Sequence, residues 1–192
     1  MGRRAGQTRE RMLLSAVALL RERGAAGISI DAVLARSEAP RGSVYHHFPG
    51  GRNEMIIDAV RLAGDYITAL IDEAAESGDA RVALRRFAEI WRISLIESDY
   101  QAGCPIVALA VDSGDEVPGA ENTVREIFAG WQEKIRELLI ANGTAEDDAR
   151  RLSTLAVATI EGAVILCRAH RSAAPLDDAI AAIMPLFPET AP

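Results

Sequence analysis

The chain has 192 residues, of which 49% are apolar, 26% charged and 5% aromatic, and a formal charge of −7. That composition excludes disordered, collagen-like and coiled-coil chains and implies a core built mainly of Ala, Leu, Ile and Val. Cys104 and Cys167 are too few for a disulfide scaffold, and with His46, His47 and His170 they make no zinc pattern, so neither a metal nor a cofactor is expected.

Arg3, Arg4, Arg9 and Arg11 precede the apolar run Met12–Leu20, an order shared with export signals. Glu10 interrupts the basic stretch, Arg21, Glu22 and Arg23 follow the run, and no small-residue cleavage site closes it. An amphipathic helix is therefore the reading, and a cytoplasmic chain the expectation. Leu13, Ala16, Val17 and Leu20 mark its apolar face, Thr8 can cap its start, and Gly24 and Gly27 end it. Ser29 caps a second helix to about Arg36 with Ile30, Val33 and Leu34 inward. A turn at Ser37–Pro40 leads to a very short helix, Arg41–His47. Pro49-Gly50-Gly51 breaks the chain before a long helix from about Arg52 to Ser77.

The remainder is helical too. Asp79 caps a helix to about Glu97. Gly103-Cys104-Pro105 opens one that ends near Ser113-Gly114, with Pro in the first turn. The acidic loop Asp115–Gly119 leads to a helix over about 120–141, ended by Asn142-Gly143. Thr144-x-x-Asp147 resembles a capping box for a helix to about His170. A last helix spans about 175–187. The pattern predicts an all-α fold of about nine helices. The longest uncharged apolar stretches, near Cys104–Val111 and Leu152–Ile160, fall short of the ~20 residues that cross a bilayer, so no membrane contact is expected.

Charge is unevenly placed. Residues 1–52 hold nine arginines against four acids, a balance of +5, whereas 53–192 balance at −12. A basic segment on an acidic chain points to a local polyanion contact, although a solvated basic surface reads the same way.

Ser29–Phe48 reads helix, four-residue turn, helix. A two-turn helix is unstable alone, so its neighbours must hold it. A helix-turn-helix presents its second helix to a DNA major groove in this way. Val44 and Phe48 would anchor the inner face, and Arg41, Gly42, Ser43, Tyr45, His46 and His47 are small or polar. This stretch, above all Arg-Gly-Ser-Val-Tyr-His-His-Phe, resembles the DNA-binding signature of the TetR family of bacterial transcriptional regulators. Gly-Cys-Pro at 103–105 and Pro-Gly-Gly-Arg at 49–52 resemble the subgroup that includes multidrug- and flavonoid-responsive regulators.

The resemblance implies a DNA-binding domain over 1–51 and a ligand-binding and dimerisation domain over 52–192. It implies a repressor that binds a palindromic double-stranded operator as a homodimer and is released by a small apolar or aromatic effector. By position, Ser29 would cap its helix and touch phosphate. Arg41, Gly42 and Ser43 would open the recognition helix, Tyr45 and His46 would meet phosphates, and Arg52 would stand where the family usually has Lys. Two departures accompany the match: Glu38 sits where the family has Gly, and Arg52 comes one residue late. Tyr45 could instead pack in the small domain's core, and the adjacent rings of His46 and His47 diverge too far for a metal pair.

For the larger domain, Phe87, Trp91, Phe128 and Trp131 are candidate effector-site residues, with plain core packing as the alternative. Glu161 interrupts an apolar helix stretch and would face a ligand or an internal arginine. Cys104 opens a helix, which can activate a thiol, although burial would make it inert. Ala156, Ala163, Val164 and Cys167 are small enough for close packing at a dimer interface or within the core. An activator, a regulator that senses a protein partner and, remotely, a helical enzyme using Cys104 are the competing readings.

Overall fold

The computed structural model describes residues 2–112 and 117–189, with side chains from Gly6 onward. Nine α-helices and no strand form among these residues. They are α1 (Gly2–Arg23), α2 (Ile30–Ser37), α3 (Val44–His47), α4 (Gly51–Ala75), α5 (Ala80–Glu97), α6 (Pro105–Asp112), α7 (Ala120–Ala141), α8 (Glu146–His170) and α9 (Ala174–Ile183). Single 3-10 turns occur at Ala25–Gly27, Arg41–Ser43 and Met184–Leu186. The expected helix end at Ser113-Gly114 and the acids Asp115 and Glu116 lie outside the described residues, as do the side chains of Arg3 and Arg4.

Helix starts follow their capping chemistry in two cases and depart from it in two. Ser29 accepts the Ala32 N–H at 3.1 Å, and Asp79 accepts the Val82 N–H at 2.8 Å. Thr8 lies inside α1, because residues 2–7 contain no proline to stop the helix. Thr144 makes no capping box: α8 begins at Glu146 behind Ala145, which gives no side-chain cap. Glu146, Asp147 and Asp148 instead place negative charge on its first turn, where the helix dipole favours it.

The chain divides into two compact units. One comprises the residues up to 65 together with 104–125, and the other comprises 66–103 with those from 126 onward. The first unit therefore extends past the boundary expected at 51/52. It takes in the larger part of α4, where Met55, Ile56, Ala59 and Val60 are buried, and all described residues of α6, which packs on α1. Arg9 ties α1 to α4 through Asp58 at 2.6 Å, and its guanidinium lies 5.1 Å from the centre of the Phe48 ring. Glu22 of α1 accepts two 2.8 Å bonds from Arg36 of α2. The Arg36 hydrogen bond holds the Glu22 carboxyl below the usual carboxylate range. The small stabilisation this exposed pair adds is present above that range and is lost as the pH falls through it.

In the second unit α8 packs on α9, and both pack on α5. Leu84, Trp91, Leu95, Leu139, Ile160, Val164, Cys167 and Leu176 are buried. Burial pushes the Cys167 thiol up from its ordinary value. Asn142 does more than end α7. Its amide donates to the Gly78 carbonyl at 2.7 Å and accepts from the Ala80 N–H at 3.1 Å, pinning the α4–α5 turn.

By length and composition α8 is apolar enough to cross a membrane, which the sequence reading did not expect. Uncharged runs are broken there by Glu161, yet the helix as a whole carries two apolar faces. One face is buried. The other, Leu155, Ala158, Gly162, Ile165, Leu166 and Ala169, recurs at helical spacing and is exposed or half-exposed.

Candidate nucleic-acid interface and effector cavity

The recognition element is built as a 3-10 turn, Arg41–Ser43, running directly into α3. Val44 and Phe48 are fully buried and anchor it, as their spacing predicts. Its outer surface carries Arg41, Gly42, Tyr45 and His46, all exposed, with Ser43 and His47 half-buried. Tyr45 is 66% exposed, so it does not fill the small core. Ser43 donates its hydroxyl to the Pro40 carbonyl at 2.6 Å and closes the turn that launches the helix. A Cβ on Gly42 would meet nothing within 4 Å, so folding of the chain does not require glycine there.

The electrostatics of this face are mixed. Arg41 pairs with Asp31 of α2, and both side chains stand mostly in solvent. Such a pair is worth little in water, so Arg41 can exchange it for a stronger acceptor. Desolvation, with help from the His46 and Arg9 charges, lowers the His47 pKa from its ordinary value. Ser29 is exposed at the start of α2 with its hydroxyl already accepting a backbone amide.

Glu38 ends α2 with φ 53°, in the left-handed region that the departure from glycine made questionable. A Cβ costs about 1 kcal/mol there. Glu38→Gly should therefore raise stability by about 1 kcal/mol, less the entropy that glycine recovers on unfolding. An unchanged or lower denaturant midpoint would contradict this.

Arg52 is placed differently from a residue reaching outward. Its Nε donates to the Ile28 carbonyl at 2.7 Å and its Nη2 to the Ala25 carbonyl at 2.9 Å, while Nη1 lies 3.4 Å from Asn53 Oδ1. The guanidinium braces the corner between α1 and α2. Its late position after Gly51, which adopts φ 67°, brings the side chain to these carbonyls.

A cavity of about 330 Å³ lies within the second unit. It is lined by the end of α4 (Ile71, Ala74, Ala75), the start of α5 (Ala80, Ala83, Leu84, Phe87), the end of α7, and Ala156 and Ile160 of α8. Phe187 closes one side, and the ion pair Lys134–Asp72, at 2.6 Å, stands in the lining with Glu137. Of the expected effector residues, Phe87 alone lines this cavity among the described residues. Trp131 is buried and donates to Thr68 Oγ1 at 3.0 Å, with Phe128 edge-on to its ring at 5.3 Å. Trp91 is core, Glu161 lies elsewhere on α8, and Cys104 is buried in the first unit. A legible signal for the cavity was the cluster of alanines at 74, 75, 80 and 83, where α4 meets α5. Small side chains facing one another leave volume unfilled.

Comparisons with known proteins agree with this arrangement. Residues 13–58 match the model of the bacterial regulatory proteins of the tetR family, and residues 80–182 match the C-terminal domain of LmrA/YxaF-like transcriptional regulators. An HTH-type transcriptional regulator of Mycobacterium tuberculosis is 41% identical over 174 residues, covering 88% of each chain. The HTH-type transcriptional regulator LmrA of Bacillus subtilis is 28% identical over 172 residues, covering 89% of this chain and 92% of that one. In fold, the chain is similar to a regulatory protein TetR from Rhodobacter sphaeroides, with a TM-score of 0.86 at 19% identity over 93% of this chain and 97% of that one. The chain therefore belongs to the TetR family and is a helix-turn-helix, DNA-binding transcription regulator rather than an enzyme.

Proposed function

We propose that this regulator is a cytoplasmic repressor that binds a palindromic operator as a homodimer and is released by a small apolar or aromatic effector. The observation that carries the DNA assignment is the short helix anchored by buried Val44 and Phe48, with Arg41, Gly42, Tyr45 and His46 turned to solvent. Arg41 has the geometry for a bidentate guanine contact, and Tyr45 and His46 suit phosphates. Ser43 and Ser29 hold the two helix starts beside them. Arg52 acts through the corner it braces.

The second copy docks on the exposed apolar stripe of α8. Leu155, Ile165 and Leu166 are 42%, 53% and 51% exposed, and Leu186 beyond α9 is 55% exposed. An apolar row of this kind on a soluble chain marks an association surface, and Gly162 in its middle lets helices approach closely. A two-fold pair doubles the DNA read by one short helix.

The effector reading rests on the apolar cavity, whose volume is at the lower end of the range of small-molecule sites. Its single ion pair would orient one polar end of the ligand. Helix α4 contributes to the cavity at its C-terminal end and to the first unit at its start, so ligand-dependent displacement of α4 would alter the helix-turn-helix. The size of any such effect equals the ligand's differential affinity for the two states.

The test is selection of duplexes from a random pool by the full chain, followed by a salt titration on the selected sequence. Symmetric half-sites about one helical turn apart are expected, with a log–log salt slope of about −0.9 per phosphate neutralised. Failure to enrich any sequence, or salt-independent binding, would refute the interface. Gly42→Leu separates folding from recognition. It fills open space, so thermal stability should hold or rise by up to about 1 kcal/mol, while duplex affinity falls by at least about tenfold as the new side chain meets DNA. Wild-type affinity in this variant would show that the helix does not approach the bases.

A further inference from the structure

Within the first unit, α6 ends on the corner that leads into the helix-turn-helix. Asp112, its last residue, accepts the Ala25 N–H at 3.1 Å through Oδ2. That amide opens the 3-10 turn Ala25–Gly27, and a helix-type start leaves its amides in need of acceptors. Gly24 makes the approach possible. It has φ 74°, and a Cβ there would lie 2.2 Å from Asp112 Oδ2. From α4, Arg52 holds the carbonyls of Ala25 and Ile28 in the same corner. Ala25 is thus gripped at both ends of its peptide units, its N–H by α6 and its C=O by α4. Ser29, which caps α2, follows directly on Ile28.

We propose that Asp112 is a positioning residue for DNA recognition: by latching the Ala25 amide it makes α6, alongside α4, set the placement of α2 and the recognition helix. The inference rests on reading residues 41–47 as the DNA-contacting helix. α6 suits the role because it packs on α1 and carries Asp112 to the corner directly. A shift of α6 would either drag the corner or break the bond, and both alter the seat of α2. The two grips share one residue, which predicts that the corner responds when either helix moves.

Asp112→Ala and Asp112→Asn test this because the charge and latch accounts give opposite signs. Removing an acid near a polyanion site should tighten binding if only charge matters. Removing the latch should weaken it. The full chain is assayed on the duplex it selects from a random pool, and amide exchange is followed over residues 24–47. Asp112→Ala should weaken duplex binding by about tenfold and speed exchange by at least about tenfold at Ala25, spreading into 30–47. Asp112→Asn keeps the acceptor and should bind at least as tightly as the wild type. Equal or tighter binding by Asp112→Ala overturns the proposal, as does exchange raised at Ala25 alone. If Asp112→Ala does not fold, weakened binding by Asp112→Asn is the overturning result, and binding at or above the wild-type level supports the latch. If the wild-type chain selects no duplex, the DNA-site reading fails first. The spread of exchange into 30–47 then decides whether Asp112 sets the position of that segment.

Discussion

Replacing Ile165 and Leu166 together by arginine should leave a folded monomer whose affinity for the selected operator falls by at least about a hundredfold. Both side chains are about half exposed in the isolated chain, so their loss removes little of the intramolecular core. In the proposed two-fold pair this stripe would face the same stripe of the second copy, and the variant would place four guanidinium groups in one apolar seam. Burying unpaired charges there costs several kcal/mol, enough to disperse the pair. Sedimentation at micromolar concentration gives the mass, circular dichroism gives the fold, and fluorescence anisotropy gives the affinity. A variant that still sediments as a dimer would place the interface elsewhere. A variant that becomes monomeric yet binds the full operator as before would show that pairing does not set affinity.

Arg52→Ala should destabilise the first unit by about 2–4 kcal/mol, because it removes two charge-assisted bonds and takes the guanidinium from the Ile28 carbonyl, while the Ala25 carbonyl keeps the Ile28 N–H at 3.2 Å. Arg52→Lys is the informative companion. An ammonium reaches one carbonyl at a time and lacks the planar fork, so roughly half of the loss should remain. If Arg52 served only as a phosphate contact, Lys would preserve both stability and binding, and Ala would change binding alone. Denaturant unfolding of the three proteins, read beside duplex affinity at two salt concentrations, separates these cases. Wild-type stability in Arg52→Ala would remove the brace from the account.

Much of the fold was legible because helix signals are local. Ser29 and Asp79 are three residues from the amides they cap, and the Val44–Phe48 spacing marks the inner face of the recognition helix directly. Thr144 failed because α8 begins two residues later, at Glu146, where the acids at 146–148 suit the helix dipole without a capping bond. The site residues were harder. The excess of arginine before residue 53 located a basic segment, but charge counting cannot tell a guanidinium facing solvent from one donating to carbonyls 24 and 27 residues earlier. The cavity was missed for a related reason. Aromatic residues attracted attention, yet Trp131 is held by Thr68, which is 63 positions away, and the empty volume is defined by alanines that leave space unoccupied.

Lys134 is the chain's sole lysine, and it stands in the cavity lining. An amine-directed reagent therefore has one side-chain target in the whole molecule, besides the α-amino group. Tagging that position with an environment-sensitive dye would report on the chamber alone, turning an accident of arginine-rich composition into a single optical handle for screening what enters it.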